Sequence, residues 1–284
     1  MKLNSSQLEA FFTVAKTLNF TRAAEALHIS QSALSQRIAK LEEDIEATLF
    51  VRDKTSVRLT DAGEQVLRFC QVADLAESDL LAKLKGSQQE LAGALKVAGF
   101  SSINRSLVLP ALKKLMIKNQ NLSVQVFTKE LSELPKLLRN AEADYILTNR
   151  KSDSPDIESL FLGFEENVLV RSKRHPDTEI YLDHDENDPT TKGYFSQNKL
   201  STKPKMMRYL DDVYGLIDGV KNGYGQAILP VHLIEGEKDL EIIDPKRVLK
   251  VSVYLQFYIQ PYYRKVHSHF LSEIQNYFKE HLRQ

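Results

Sequence analysis

Apolar residues fall at helical spacing from the start of the chain. Leu8, Phe11, Phe12, Ala15 and Leu18 form one stripe, which predicts a helix over 6–18 with Ser6 and Glu9 as its capping box. Thr21 is a good N-cap for a short second helix, Arg22 to His28, in which Ala23 and Ala24 permit close approach to another backbone. Ser30 caps a third helix, Gln31 to Glu46, with Leu34, Ile38, Leu41 and Ile45 facing inward. Val51–Leu59 then reads as a hairpin, with turn chemistry at 53–56 and Arg52, Lys54 and Arg58 exposed. Two short helices, a tight turn and a basic hairpin are the anatomy of a winged helix-turn-helix, so the implied partner is double-stranded DNA.

Thr60 caps a long helix, Asp61 to about Glu90, that carries a narrow seam of Val66, Phe69, Cys70, Ala73, Ala76, Leu80 and Leu84. A seam this sparse cannot support a core alone. It predicts dimerisation through Val66, Phe69, Ala73, Leu80 and Leu84, against the plainer reading of a helix packed on its own domain.

Beyond Gly93 the period changes. A short apolar run at 94–98 leads to a helix over 104–118, a strand at Leu122–Thr128, a helix at Leu131–Asn140 and a strand at Asp144–Asn149. This β-α-β-α-β order marks a parallel sheet covered by helices. A second half begins near Phe164–Arg171. It continues with a helix at Tyr209–Lys221, a strand at Gln226–Leu229, a turn at Pro230–Leu233 and a long strand at Val248–Ile259. An amphipathic helix, Lys265–His281, closes the chain, and residues 177–205 have few apolar anchors and resist placement.

The 284 residues suit about two domains. Lys+Arg and Asp+Glu are both 38, so the protein is not coated in positive charge; a local basic patch suffices to hold phosphate. The acids Glu42, Glu43, Asp44 and Glu46 are expected at the far end of the third helix, away from DNA. One cysteine, Cys70, excludes an intrachain disulfide and suggests a reducing, cytoplasmic setting. MKLNSSQLEA lacks an apolar core, so no signal peptide is expected, and no run approaches a membrane span.

On the third helix Ser32, Ser35, Gln36, Arg37 and Lys40 are left off the inward face. They are short hydrogen-bonding or cationic groups suited to base edges and phosphates. A solvated helix face is the bland alternative, and the adjacent short helix and basic wing favour DNA. In the C-terminal half, ligands belong beyond the carboxyl ends of the strands. Ser101 and Ser102 lie there at a helix start that favours an anion, with Thr128 and Asn149 at the same edge. Phe195 and Ser196 are expected to face them from the second lobe, which gives six candidate effector residues. Gly223–Tyr224–Gly225 precedes a strand and has Ile228 where a dinucleotide motif needs its third glycine. His267 and His269 cannot share a helix face, and His175, His184 and His232 lack metal-ligand spacing. No cofactor, metal site or catalytic constellation is expected.

The strings FTRAAEALHISQSALSQRIAKLE (20–42), LFVR (49–52) and LTDAG (59–63) resemble LysR-type transcriptional regulators, and the resemblance extends over the whole length. It implies an α+β multidomain protein: a winged helix-turn-helix over 1–59, a linker and dimerisation helix over 60–91, and a regulatory domain over 92–284. The last resembles the two-lobed type II periplasmic binding proteins, with lobe I at about 92–163 and 261–284 and lobe II at about 164–260. The implied DNA contacts are Thr21, Arg22, Ser30, Gln31, Ser32, Ser35, Arg37, Arg52 and Lys54. Ser32 stands where the family often has Pro, and Gln36–Arg37 inverts the usual order; both alter the sequence read. The resemblance also implies a dimer or tetramer whose effector tunes DNA bending or RNA polymerase contact. The rival readings are a constitutive DNA-binding oligomer and an enzyme with a DNA-binding appendage.

Overall fold

The computed structural model describes residues 4–284 except 53–55, 85–90, 92, 176–178, 201–203 and 205. The N-terminal unit is a winged helix-turn-helix. Helices α1 (Ser5–Thr17), α2 (Phe20–Ala26) and α3 (Gln31–Asp44) precede a hairpin of β1 (Phe50–Arg52) and β2 (Val57–Leu59). Asn4, not Ser6, caps α1 by accepting from the Ser6 amide, and Asn19, not Thr21, caps α2 by accepting from the Arg22 amide. Phe11, Val14, Ala23, Leu34, Ile38 and Leu41 are fully buried in one core, which fixes the outward face of α3 by exclusion.

Helix α4 (Asp61–Leu84) starts where expected, its first turn bound by Thr60 Oγ1, which accepts from the Gly63 amide at 3.0 Å. Gly63 is required there: a Cβ would collide with the Leu49 carbonyl oxygen. The turn therefore fits the base of the wing only without a side chain.

The C-terminal part is one nine-stranded sheet in two lobes. Lobe I holds β3 (Gly93–Gly99), β4 (Leu122–Thr128) and β5 (Tyr145–Thr148) in parallel, with β3 in the middle. Between β3 and β4 run α5 (Ser101–Ile103), a π-helical turn (Asn104–Val108) and α6 (Leu109–Lys118); α7 (Leu134–Arg139) precedes β5. Two long antiparallel strands, β6 (Ile157–Ser172) and a partner at 248–258, cross from one lobe to the other. Lobe II adds β7 (Ile180–Asp183), α8 (Thr190–Gln197), β8 (Met206–Tyr209), α9 (Val213–Lys221), β9 (Gln226–Pro230), α10 (Val231–Ile234) and β10 (Leu240–Ile242). The partner strand is β11 (Val248–Tyr258), and α11 (Lys265–His281) returns to pack on lobe I. The segment 177–205 thus contains a strand and a helix. Tyr194, almost fully buried, is the main apolar anchor of α8.

The crossover pair breaks register between Val253 and Tyr254, leaving Leu162 as the extra residue of a bulge. The adjacent Gly163 has φ +134°, and a Cβ there would meet Leu282 and the Arg283 carbonyl at 2.8 Å. Phe164 bridges to Arg283, so residues near position 283 pair with the crossover strand at this point.

Candidate DNA interface and inter-lobe cleft

The turn between α2 and α3 is built by His28 at φ +53° and by the Ile29 amide donating to the Ala24 carbonyl. Ser30 then caps α3 by accepting from the Ala33 amide at 3.2 Å, and its hydroxyl lies 3.0 Å from that of Ser32. With Leu34, Ile38 and Leu41 buried, Gln31, Ser32 and Gln36 are exposed, and Ser35 and Arg37 are half-exposed. Thr21 and Arg22 are exposed in the first turn of α2. Lys40 is exposed and paired locally. Its ammonium lies 2.8 Å from Glu43 and 3.2 Å from Asp44, and hydrogen bonds to those carboxylates hold it above the usual lysine range. The pair is solvent-exposed and weak, so a phosphate can compete for the ammonium.

The wing is fastened from both sides. Glu42 Oε1 accepts from the Leu49 and Phe50 amides at 2.7 and 3.3 Å, so one of the acids expected merely to point away caps the entry to β1. Arg52 sits over the Phe20 ring, 4.0 Å from its centroid, which ties the wing to α2. Lys54 lies outside the described residues.

Helix α4 divides the expected dimer seam. Leu67 and Cys70 belong to the N-terminal core, and Val66 packs against it. Val66 is half-buried against that core, which leaves only part of its side chain for a partner copy. Burial pushes the Cys70 thiol up to about 11, which makes it unreactive. Phe69 and Leu80 are 51% and 55% exposed, with Ala73 and Ala76 exposed between them. The spacing 69, 73, 76, 80 is a heptad stripe left exposed among the described residues. The side chain of Leu84 lies outside the description. Arg68 ties α4 to the C-terminal part through Asp156 at 3.4 Å and the Tyr258 ring at 5.0 Å.

In the cleft between the lobes Ser102 is buried, and its hydroxyl donates to Glu165 Oε1 at 3.0 Å. His232 of α10 places Nε2 2.9 Å from the same oxygen and Nδ1 2.8 Å from the Ser106 hydroxyl. That hydroxyl lies 2.5 Å from the Ser102 carbonyl oxygen. The π turn delivers Ser106 to this point, one position round from where a regular helix would carry it. Arg105 adds a second link across the lobes, 4.1 Å from the Tyr214 ring centroid. The run Ser106–His232–Glu165 is a serine, imidazole and carboxylate within hydrogen-bond reach, which the spacing of those residues did not announce. Its serine is already engaged with a main-chain carbonyl inside a helical segment, so the run acts as a tie between lobes.

The other expected effector residues scatter. Ser101 is half-buried and Asn149 exposed; Thr128 Oγ1 accepts from Asn104 at 3.1 Å. Phe195 and Ser196 do not face them. Phe195 stacks edge-on to Tyr181 and lines a separate cavity of about 530 Å³ with Asp183, Thr191 and Met207, where burial pushes the Asp183 carboxyl up to about 6. Helix α8 packs on Leu169, Ile228 and Leu249, and this packing holds Phe195 against Tyr181 instead. Glu165 and His232 are the cleft residues that sequence reasoning missed. The available signal was an acid inside a strand otherwise reading as buried.

Comparison with known proteins places both halves. Residues 5–64 match the model of the bacterial regulatory helix-turn-helix protein, lysR family, and residues 88–278 match the LysR substrate binding domain. The HTH-type transcriptional regulator HdfR of Yersinia enterocolitica is 30% identical over 161 residues, covering 57% of this chain and 54% of that protein. HdfR of Yersinia pestis is 27% identical over 165 residues. The matched region therefore spans about half the length of these curated relatives. Among solved structures, ArgP from Mycobacterium tuberculosis superposes with a TM-score of 0.80 at 21% identity, covering 99% of each chain. Full-length LysG from Corynebacterium glutamicum with bound effector Arg superposes with 0.79 at 17%, covering 99% of this chain and 100% of that one. DarR from Vibrio fischeri in complex with DNA gives 0.54 at 21% over 97% and 99% of the two chains. At these identities the likeness establishes the shared fold.

Proposed function

The chain belongs to the LysR family of bacterial regulatory helix-turn-helix proteins, and on that premise we propose that it is a sequence-specific, DNA-binding transcriptional regulator working as a homo-oligomer. The observation that carries this reading is the outward face of α3. Gln31, Ser32, Ser35, Gln36 and Arg37 stand beside a wing whose Arg52 is fixed in place, while the apolar side of the same helix fills a core. Arg37 is the best candidate for base-edge contact, with Ser32, Ser35 and Gln36 beside it. Thr21, Arg22, Ser30 and Arg52 are assigned to the phosphates.

The division at 1–59, 60–91 and 92–284 assigns reading, pairing and sensing to successive parts. Phe69, Ala73 and Leu80 form the pairing stripe, so that two copies of α3 meet two half-sites as a dimer, or as pairs of dimers in a tetramer. The C-terminal domain modulates DNA bending or polymerase contact through a small molecule held between its lobes. No catalytic role is assigned to Ser106 or His232. A cytoplasmic location follows from DNA as partner. A second reading, constitutive DNA binding without a diffusible effector, is favoured by one observation: Glu165 and His232 already fill the cleft at Ser102.

The test is retention on duplex DNA as salt is varied. Binding that weakens steeply with salt, and an Arg37→Ala variant that binds more weakly with less preference among sequences, are the expected results. No salt-sensitive binding to any duplex, genomic fragments included, would end the regulator reading.

A further inference from the structure

One carboxylate joins the lobes. The side chains of Glu165 and His232 are only 6% and 7% exposed. Ser102 comes from lobe I, His232 from lobe II and Glu165 from the crossover strand β6. The Ser102 hydroxyl and His232 Nε2 converge on a single oxygen, Glu165 Oε1, at 3.0 and 2.9 Å. A hydroxyl donor and an imidazole nitrogen meeting at one carboxylate oxygen, beside a helix start and between two lobes, are groups that would also hold the carboxylate of a bound ligand. Here the chain fills that point itself.

We propose that Glu165 is a built-in occupant of the anion position in the inter-lobe cleft. It closes the lobes as a bound carboxylate would, and it makes the cleft refuse small anionic effectors. The inference rests on reading the cleft as a ligand position. A carboxylate held in place by its own strand competes as an intramolecular group, at an effective concentration above that of a free acid in solution. Displacing it would also strand a buried charge without its partners. The cleft therefore admits a free carboxylate only when residue 165 gives up its own.

Chemical complementation of the full-length protein tests this. Replacing Glu165 by Ala deletes a CH2–COO⁻ group, whose free counterpart is acetate. Thermal unfolding is followed from zero to tens of millimolar sodium acetate, with chloride adjusted to hold ionic strength constant. Glu165→Ala is expected to melt below wild type and to recover about 2–4 °C with acetate, the size that weak, near-saturating binding produces. Wild type and the isosteric Glu165→Gln are expected not to respond. The double variant Glu165→Ala, His232→Ala is expected to lose the recovery. Acetate stabilising wild type as much as Glu165→Ala, or leaving folded Glu165→Ala unmoved, overturns the proposal. Should Glu165→Ala not fold, the strand-favouring Glu165→Thr with formate replaces it, and the same two outcomes decide. The assay contains no DNA, so its failure is distinct from a failure of duplex binding.

Discussion

Arg52 of the wing sits over Phe20 at the start of α2, its guanidinium carbon 4.0 Å from the ring centroid. The wing is thereby aligned by an aromatic residue whose other contacts are core: Phe20 also meets Phe50 edge-on at 5.8 Å. Arg52→Lys keeps the charge and loses the planar group that matches the ring. It should weaken operator binding about 2–5-fold with an unchanged salt slope, whereas Arg52→Ala should weaken it further and lower the slope by about one. Titrations at several salt concentrations separate the two effects.

The exposed stripe on α4 and the buried side of the same helix should respond differently to one change. Leu80→Asp places a charge in the uncovered seam and should yield smaller particles in sedimentation velocity, with the melting of the N-terminal unit retained. Val66→Asp places it against the N-terminal core and should lower stability by about 2–4 kcal/mol. A wild-type-sized Leu80→Asp particle would remove Phe69, Ala73 and Leu80 from the interface.

Gly63→Ala discriminates between local propensity and tertiary fit. In an open helix the change would stabilise by about 1 kcal/mol. Here the added methyl meets the Leu49 carbonyl and the Leu59 side chain, so a loss of about 2–4 kcal/mol is expected. Denaturant unfolding gives the sign directly.

His267 gives the protein an acid sensitivity. It is 2.7 Å from the Tyr145 hydroxyl and stacked 3.8 Å from Tyr263; burial, helped by Arg264, pushes its pKa from 6.5 down to about 4. Between those values the unfolded chain binds the proton and the folded chain does not, so stability falls as pH drops through this window. His267→Gln should flatten the fall. The ring is only partly buried, so solvent screening limits the difference to about 2–4 °C in melting temperature near pH 4.5.

Elements with strong periodicity were legible in the chain: β4 at Leu122–Thr128 and α11 at Lys265–His281 carry their apolar residues at the period of their own structure. Caps were less so, because Asn4 and Ser6, or Asn19 and Thr21, are equally able oxygen acceptors, and only backbone geometry chooses between them. Helix α8 was missed because its apolar content is essentially Tyr194 and Phe195. The face of α3 could be deduced, since a helix with three buried positions has little freedom in what remains outside. The cleft could not. Ser102, Glu165 and His232 are separated by 63 and 67 residues, and their meeting depends on how two lobes close. The pairing of Lys40 with Glu43 and Asp44 was also present in the sequence, as acids three and four positions on.

The bulge at Leu162 and Gly163 has a bearing on biosynthesis. On one side it faces β11, but the bridge from Phe164 on the other is reached only at Arg283, and the Gln284 side-chain amide donates back to the Leu162 carbonyl over a separation of 122 residues. A ribosome must therefore extrude lobe II whole before the pivot between the lobes can be pinned. Until then Phe164 lacks its bridge and the Leu162 carbonyl its amide donor, so the pivot is the last part of the sheet to be fastened during synthesis.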